Sequence, residues 1–296
     1  MIEEAIDQTK PDIVSILTPS GLHALHAIKV LKKHIHVIIE KPMCLKNIDA
    51  KKIIHYSKKS KKKVFIVMQN KFNPPVVKLL KDIKLNTFGK VFHAGVCVKW
   101  KRDQSYYNLD KWRGSWKFDG GVLANQASHH VDLLQWLMGN VKSVFAKTLK
   151  ITKKTNAADT CLAILKFKSG ALGSIEATTA TRPKDLEGSI SILGENGTAV
   201  ISGFAVSKIE TWEFKKRKKA DTDIFKYSSN YKDVYGFGHI EFYKDVYNFL
   251  HNKKNSATTL EEGSKSVKII DKIYSSAEIS KEVFFNDNNY SKKLGK

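Results

Sequence analysis

Over the first 70 residues, short unbroken apolar runs alternate with amphipathic stretches. Asp12–Leu17 ends at Thr18-Pro19-Ser20, Val37–Glu40 ends at Lys41-Pro42, and Val64–Met68 ends at Gln69-Asn70. Helical spacing runs from Gly21 to Lys33 and from Asn47 to Ser60 between them. Strands that are apolar at nearly every position are buried on both faces, as in a parallel sheet covered by helices. Crossovers in such sheets are right-handed, and ligands sit at the strands' carboxyl ends. After Asn73-Pro74-Pro75 the pattern changes: one helix (Val76–Asn86) leads into long extended segments at 91–101, 143–152, 160–168, 171–181, 188–193, 198–201 and 208–214. Ser169-Gly170 and Gly194-Glu195-Asn196-Gly197 are turn signals between antiparallel neighbours. A lone helix (Gln126–Met138) interrupts the strands, and helices over Ile240–His251 and Leu260–Ser280 close the chain. The expected fold is an incomplete Rossmann-type parallel sheet over residues 1–72, followed by an α+β domain over 73–296 with a large, mostly antiparallel sheet.

Composition narrows the function. The 296 residues are 42% apolar and 27% charged, as in a globular protein, and no apolar run reaches membrane-spanning length. Met1–Asp7 is acidic and lacks the apolar core of a secretory signal. Cys44, Cys97 and Cys161 are odd in number and widely spaced, so neither a disulfide framework nor a CxxC site is expected, and a reduced cytoplasmic setting follows. The formal charge of +22 raises a basic nucleic-acid-binding module as one reading. Against it, the basic residues are 47 lysines and only four arginines, and the runs Lys58–Lys63 and Lys215–Lys219 carry no interleaved aromatic to stack a base. A solvated lysine coat, with no specific nucleic acid and no membrane as partner, is the expectation.

Three constellations carry chemistry. Glu40-Lys41-Pro42 places a Lys at a strand's carboxyl end, where it can hold a substrate oxygen and any charge that develops there. Gly120-Gly121 precedes a helical stretch in which Asn125, His129 and Asp132 recur at i, i+4 and i+7 on one face. His129 is the residue there suited to taking a proton at neutral pH. Adjacent His129 and His130 diverge by about 100° on a helix, so no metal site is expected from them with Asp132. The segments Trp100–Tyr107 and Lys111–Trp116 hold two of the four arginines and three of the five tryptophans, which suits a loop that binds an anionic, ring-containing ligand.

Taken in order along nearly the whole chain, these elements resemble the Gfo/Idh/MocA family of nicotinamide-dependent sugar oxidoreductases. The resemblance rests on Thr18-Pro19 with His23, Glu40-Lys41-Pro42, Asn70-Lys71-Phe72-Asn73-Pro74, Trp112-Arg113, the Gly120–Gly139 helix, Gly238-His239, and Glu262–Val283 with its Ile273-Tyr274-Ser275-Ser276-Ala277. Within the family, Trp100–Tyr107, Lys111–Gly114 and Asn125-Gln126 are most similar to the UDP-N-acetylglucosaminuronate 3-dehydrogenases of surface-polysaccharide synthesis, whose product passes to an aminotransferase. The resemblance implies oxidation of the C3 hydroxyl of a UDP-sugar uronic acid. It places proton abstraction on His129 with Lys41 assisting, because many relatives carry Asp where this chain has Asn125, and Asn cannot be a base. It implies cofactor contacts from Thr18, Pro19, His23, Glu40, Lys41, Asn70, Trp112 and Arg113, and substrate contacts from Arg102, Tyr107, Asn125 and Gln126. The implied cofactor is NAD, with NADP left open, and the implied assembly is a homo-oligomer, dimer or tetramer, built through the large sheet.

One departure stands out. Before Gly89 the only glycine is Gly21, so no GxGxxG turn is present to hold a pyrophosphate. The first βαβ unit and its following helix, about 50 to 60 residues, are expected to be missing, along with the acidic residue that would choose between NAD and NADP. The chain is then either a fragment of a longer gene product or a truncated form, and the competing reading is a catalytically silent remnant that serves only oligomer contacts.

Overall fold

The computed structural model describes residues 2–153, 155–216, 223–229, 238–253 and 258–296. Helix α1 (Ile2–Thr9) leads into β1 (Ile13–Ile16), α2 (His23–Lys32), β2 (His36–Ile39), α3 (Asn47–Ser60) and β3 (Val64–Ile66). The three strands are parallel and ordered β1-β2-β3. Their unbroken apolar runs are explained by burial on both faces. Val37, Ile39, Val64 and Ile66 pack with residues of α2 and α3, while Ile38, Phe65 and Val67 form a second cluster on the opposite face.

The chain continues through α4 (Pro74–Lys84), β4 (Val91–Lys99), α5 (Gln104–Asn108), α6 (Gly121–Ala124), α7 (Ser128–Met138), β5 (Val141–Leu149), β6 (Thr160–Phe167) and β7 (Leu172–Thr178). It then forms β8 (Glu187–Gly194), β9 (Gly197–Ser202), β10 (Lys208–Phe214), α8 (Gly238–Leu250), α9 (Leu260–Ile279) and β11 (Val283–Phe284). The second sheet has eight strands in the order β10-β9-β8-β4-β7-β6-β5-β11, antiparallel except where β4 runs parallel to β7. Strict alternation along β6 turns Cys161, Ala163, Leu165 and Phe167 inward, toward a core shared with α7 and α9. α8 supplies Phe242 and Val246 to the second face of the parallel sheet, and α9 supplies Leu260 and Val267 to the first. The two sheets are therefore tied together by the closing helices.

Both expected sheets form, with strand ends trimmed by one to three residues in most cases. The main difference lies before α7. The helix expected over 126–138 begins at Ser128, and a separate short helix, α6, precedes it. Gly120 and Gly121 have φ of +78° and +73°, and the chain turns again through Asn125–Ala127. Asn125 therefore stands in a turn, not on one face with His129 and Asp132. The turn Gln69–Phe72 is a 3-10 helix and β11 an added edge strand, neither anticipated. Residues 217–219 of the second lysine run lie outside the described residues. Among the described residues no helix is long and apolar enough to cross a membrane.

Candidate active site

The carboxyl ends of β2 and β3 open onto a cavity of 350 Å³. β2 delivers Glu40 and Lys41 to it, the turn after β3 delivers Gln69 and Asn70, and the first turn of α7 delivers His129 and His130. The segment following β4 closes the opposite side with Trp100, Arg102, Tyr106 and Arg113. Asn125 and Gln126 from the α6–α7 turn, Phe204 from beyond β9 and His239 from α8 complete the wall.

Lys41, which precedes Pro42 across a cis peptide bond, donates from Nζ to the backbone carbonyl of Asn125 at 2.6 Å. Burial lowers the pKa of its amine, Glu40 and Asp119 pull in the other direction, and Arg113 and Arg102 add to the lowering. Asp119, nearly fully buried, accepts from the Gly114 N–H, and burial raises its carboxyl above the usual range. His129 is held well below the ordinary imidazole range, first by burial and then by Lys41, His130, His239 and Lys71. Its ring is neutral at pH 7, and Nδ1 has no hydrogen-bond partner among the described residues. His130 is pushed down to about 4 by burial, and both its ring nitrogens lack hydrogen-bond partners among the described residues. It meets the Trp100 ring edge-to-face with centroids 6.0 Å apart.

Across the cavity the Tyr106 hydroxyl accepts from Arg113 Nη1 at 2.6 Å and from Gln126 Nε2 at 3.3 Å. Arg113 is anchored by Asp110 at 2.9 Å and lies 4.8 Å over the Trp112 ring. Arg102 pairs with Asp185 at 3.2 Å and covers the rings of Trp100 and Tyr106 at 5.3 and 5.4 Å. Two guanidinium groups on aromatic platforms, in one cavity with a Lys and a neutral imidazole, can hold an anionic ligand beside a proton acceptor.

Of the residues expected in a site, Glu40, Lys41, Asn70, Arg102, Arg113, Asn125, Gln126 and His129 are brought to this one cavity. Thr18, Pro19, His23, Tyr107 and Trp112 are not among its lining residues. His23 instead joins two loops, its Nδ1 within 2.7 Å of the Pro42 carbonyl and its Nε2 within 2.7 Å of the Thr18 carbonyl. The Thr18 hydroxyl meets His26 Nδ1 at 3.1 Å. Tyr107 points into the core, bonded to the Thr179 hydroxyl at 2.9 Å, and its phenol is raised to about 12 by burial. Tyr106 takes the cavity position in its place. Gln69, Trp100, Tyr106, His130, Phe204 and His239 were not anticipated as site residues. Trp100 and Tyr106 lie inside the aromatic segment that signalled a binding loop, His130 beside His129, and His239 in the closing Gly-His pair. Gln69 ends the third apolar run, while nothing in the local sequence marks Phe204.

Residues 1–68 match the family model described as the oxidoreductase family's NAD-binding Rossmann fold, and residues 81–284 match that of its C-terminal alpha/beta domain. The chain is 31% identical over 153 residues, 49% of this chain and 35% of that protein, to the putative oxidoreductase YteT of Bacillus subtilis. It is 29% identical over 178 residues to the myo-inositol 2-dehydrogenase of Thermotoga maritima, covering 58% of this chain and 51% of that one. The chain thus spans between a third and about half the length of these two curated relatives. Among solved structures, it is similar to the WlbA dehydrogenase of Bordetella pertussis in complex with NADH and UDP-GlcNAcA. That likeness has 38% identity and a TM-score of 0.92, and covers 96% of this chain and 82% of that one. The Chromobacterium violaceum WlbA dehydrogenase, in complex with the same two molecules, has 39% identity and a TM-score of 0.90 over 98% and 82% of the two chains. The two matched models together span most of the sequence, and the chain belongs to the Gfo/Idh/MocA oxidoreductase family.

Proposed function

We propose that the protein oxidises the C3 hydroxyl of a UDP-sugar uronic acid with NAD as cofactor. The observation that carries this reading is the placement of neutral His129 and the Lys41 amine on one cavity, at the carboxyl edge of a parallel sheet. The likeness to two dehydrogenases complexed with NADH and UDP-GlcNAcA supports it.

The residues present fit the nicotinamide end of the cofactor. Gln69 Oε1 and Asn70 Oδ1 are enclosed at the end of β3 with no hydrogen-bond partner among the described residues, and buried acceptors left open in this way suit a ring bearing amide N–H donors. Glu40, Lys41, Asn70 and Arg113 would hold it from the cavity wall. When bound, it supplies the hydride acceptor. In this reading His129 takes the proton of the substrate hydroxyl, and its depressed pKa keeps it unprotonated and ready at neutral pH. Lys41 donates to the same oxygen and stabilises the negative charge that grows on it. The backbone carbonyl of Asn125, which already receives Lys41 Nζ, aims that amine while the Asn125 amide orients a neighbouring hydroxyl. Arg102 meets the anionic part of the substrate, and Gln126 and Tyr106 line its path.

Residues 1–72 form the cofactor side of this assignment and 73–296 the substrate and assembly side, with two or four copies meeting through the eight-stranded sheet. The remnant and nucleic-acid readings draw no support from these relatives. The test is NADH formation by the protein given NAD and UDP-GlcNAcA, with His129→Ala and Lys41→Ala compared with the parent. Each variant is expected to lose about 10²- to 10⁴-fold in kcat. Full activity in either overturns its role, and turnover of free polyols but of no UDP-sugar overturns the substrate class.

A further inference from the structure

Outside the cavity wall, between the turn after β3 and α7, lies a pair of charges whose side chains are almost fully shielded from solvent. Lys71 Nζ is 3.1 Å from Asp132 Oδ2, each side chain is 1% exposed, and the ammonium lies 5.0 Å from the Trp136 ring centroid. Lys71 belongs to the turn Gln69–Phe72 and adjoins Asn70. Asp132 lies on α7, three residues beyond His129. The pair therefore links the element that offers Gln69 and Asn70 to the cavity with the helix that offers His129. Withdrawing two full charges from water is costly, and an apolar pair of similar volume joins two elements without that cost. Ordinary cohesion does not call for charges here. What a charged pair adds is a fixed distance, a fixed direction and a local field.

We propose that Lys71 and Asp132 form a positioning pair that fixes His129 against the cavity and balances the positive charge gathered around it. The groups facing His129 are Lys41 from the loop after β2, Lys71 from the turn after β3, His239 from α8 and His130 beside it on α7. All are cationic or become so on protonation. Asp132 in turn faces Lys71 and, from α9, Glu262 and Lys265. With Asp132 in place, Lys71 secures the turn without presenting its full charge to His129. The pair's catalytic meaning rests on His129 being the proton acceptor proposed above, whereas the titration below does not require turnover.

The test follows the His129 ring by NMR as pH is varied, in the full chain and in Asp132→Asn, Lys71→Met and the double variant Lys71→Met/Asp132→Leu. Asp132→Asn leaves the Lys71 charge uncompensated, so the His129 midpoint is expected to fall by about one pH unit. Lys71→Met removes that charge, and the midpoint is expected to rise. The double variant, with no buried charge, is expected between them. Midpoints that move in the same direction in both single variants, or stay fixed in folded protein, overturn the proposal. Should a single variant fail to fold, the double variant decides. If UDP-GlcNAcA is turned over, its kcat is expected to fall about tenfold or more with KM unchanged, because a small misplacement of a reacting group is costly. A wild-type kcat in the folded double variant overturns the positioning role. If the parent turns over no UDP-sugar, the function proposed above fails and the ordering of midpoints still tests the pair.

Discussion

His130 shows how much a single buried side chain alters the pH response. Burial pushes its pKa down to about 4, and the ring stays neutral beside Trp100. In the unfolded chain the same ring takes a proton near its ordinary pKa of about 6.5. Stability from His130 is therefore complete above that value and lost as pH falls toward the folded-state pKa. Asp119, Asp132 and Asp271, whose carboxyls are raised by burial, act in the opposite sense, so a variant comparison is needed to isolate the His130 share. His130→Phe keeps a ring against Trp100 and removes the titration. Between about pH 7.5 and about pH 5, urea unfolding is expected to show the parent losing about 2 kcal/mol more than the variant. Equal losses would refute this account. Placement on the cavity was legible in the sequence where a motif marks the backbone, as for Lys41 before Pro42 and His129 after paired glycines. Tyr106 and Tyr107 show where legibility ends. They lie on a five-residue helix, adjacent residues on a helix point about 100° apart, and so short an element has no periodicity to tell which one faces the cavity.

At the scale of the element, the arrival of α7 depends on Gly121. Its φ is +73°, and a Cβ there would come 2.6 Å from the Ala158 carbonyl oxygen and 3.0 Å from the Tyr274 hydroxyl. That carbonyl accepts the Val122 N–H at 2.9 Å, so it cannot retreat without loosening the start of α6. Gly170 is the natural control: its φ is +94°, and a Cβ there would meet nothing within 4 Å. Gly170→Ala carries the backbone strain alone, about 1 to 2 kcal/mol, whereas Gly121→Ala adds the clash and is expected to cost about 3 to 5 kcal/mol. Thermal and urea unfolding of the two variants compare them directly, and equal costs would show that the close approach to Ala158 is unimportant. The paired glycines were visible in the sequence, just ahead of a helical stretch. The second reversal at Asn125–Ala127 was not, because the apolar spacing runs smoothly across it and reads as one continuous helix.

At the scale of the molecule, sequence periodicity reveals that a strand is buried on both faces but not which segments cover it. Phe65 packs against Phe249 with ring centroids 5.5 Å apart, a contact between residues far apart in the chain that no local pattern encodes. The same alternation makes a sharper statement about the large sheet. On its outward face Phe145, Leu162, Ile164 and Leu172 are 40 to 59% exposed, while their neighbours Cys161, Ala163 and Leu165 are buried. An apolar patch with charged Lys147, Glu176 and Glu187 beside it is a surface suited to a second copy of the chain. A chain with formal charge +22 repels its own copies, so hydrophobic association through this face must overcome a repulsion that salt screens. Self-association is therefore expected to strengthen as ionic strength rises, the reverse of an assembly held by complementary charge. Ile164→Glu, placed on the exposed face of β6, is expected to give monomers in sedimentation velocity at both low and high salt while leaving the circular dichroism unchanged. A parent that stays monomeric at both salt concentrations, or an Ile164→Glu variant that still assembles, overturns the assignment of this face.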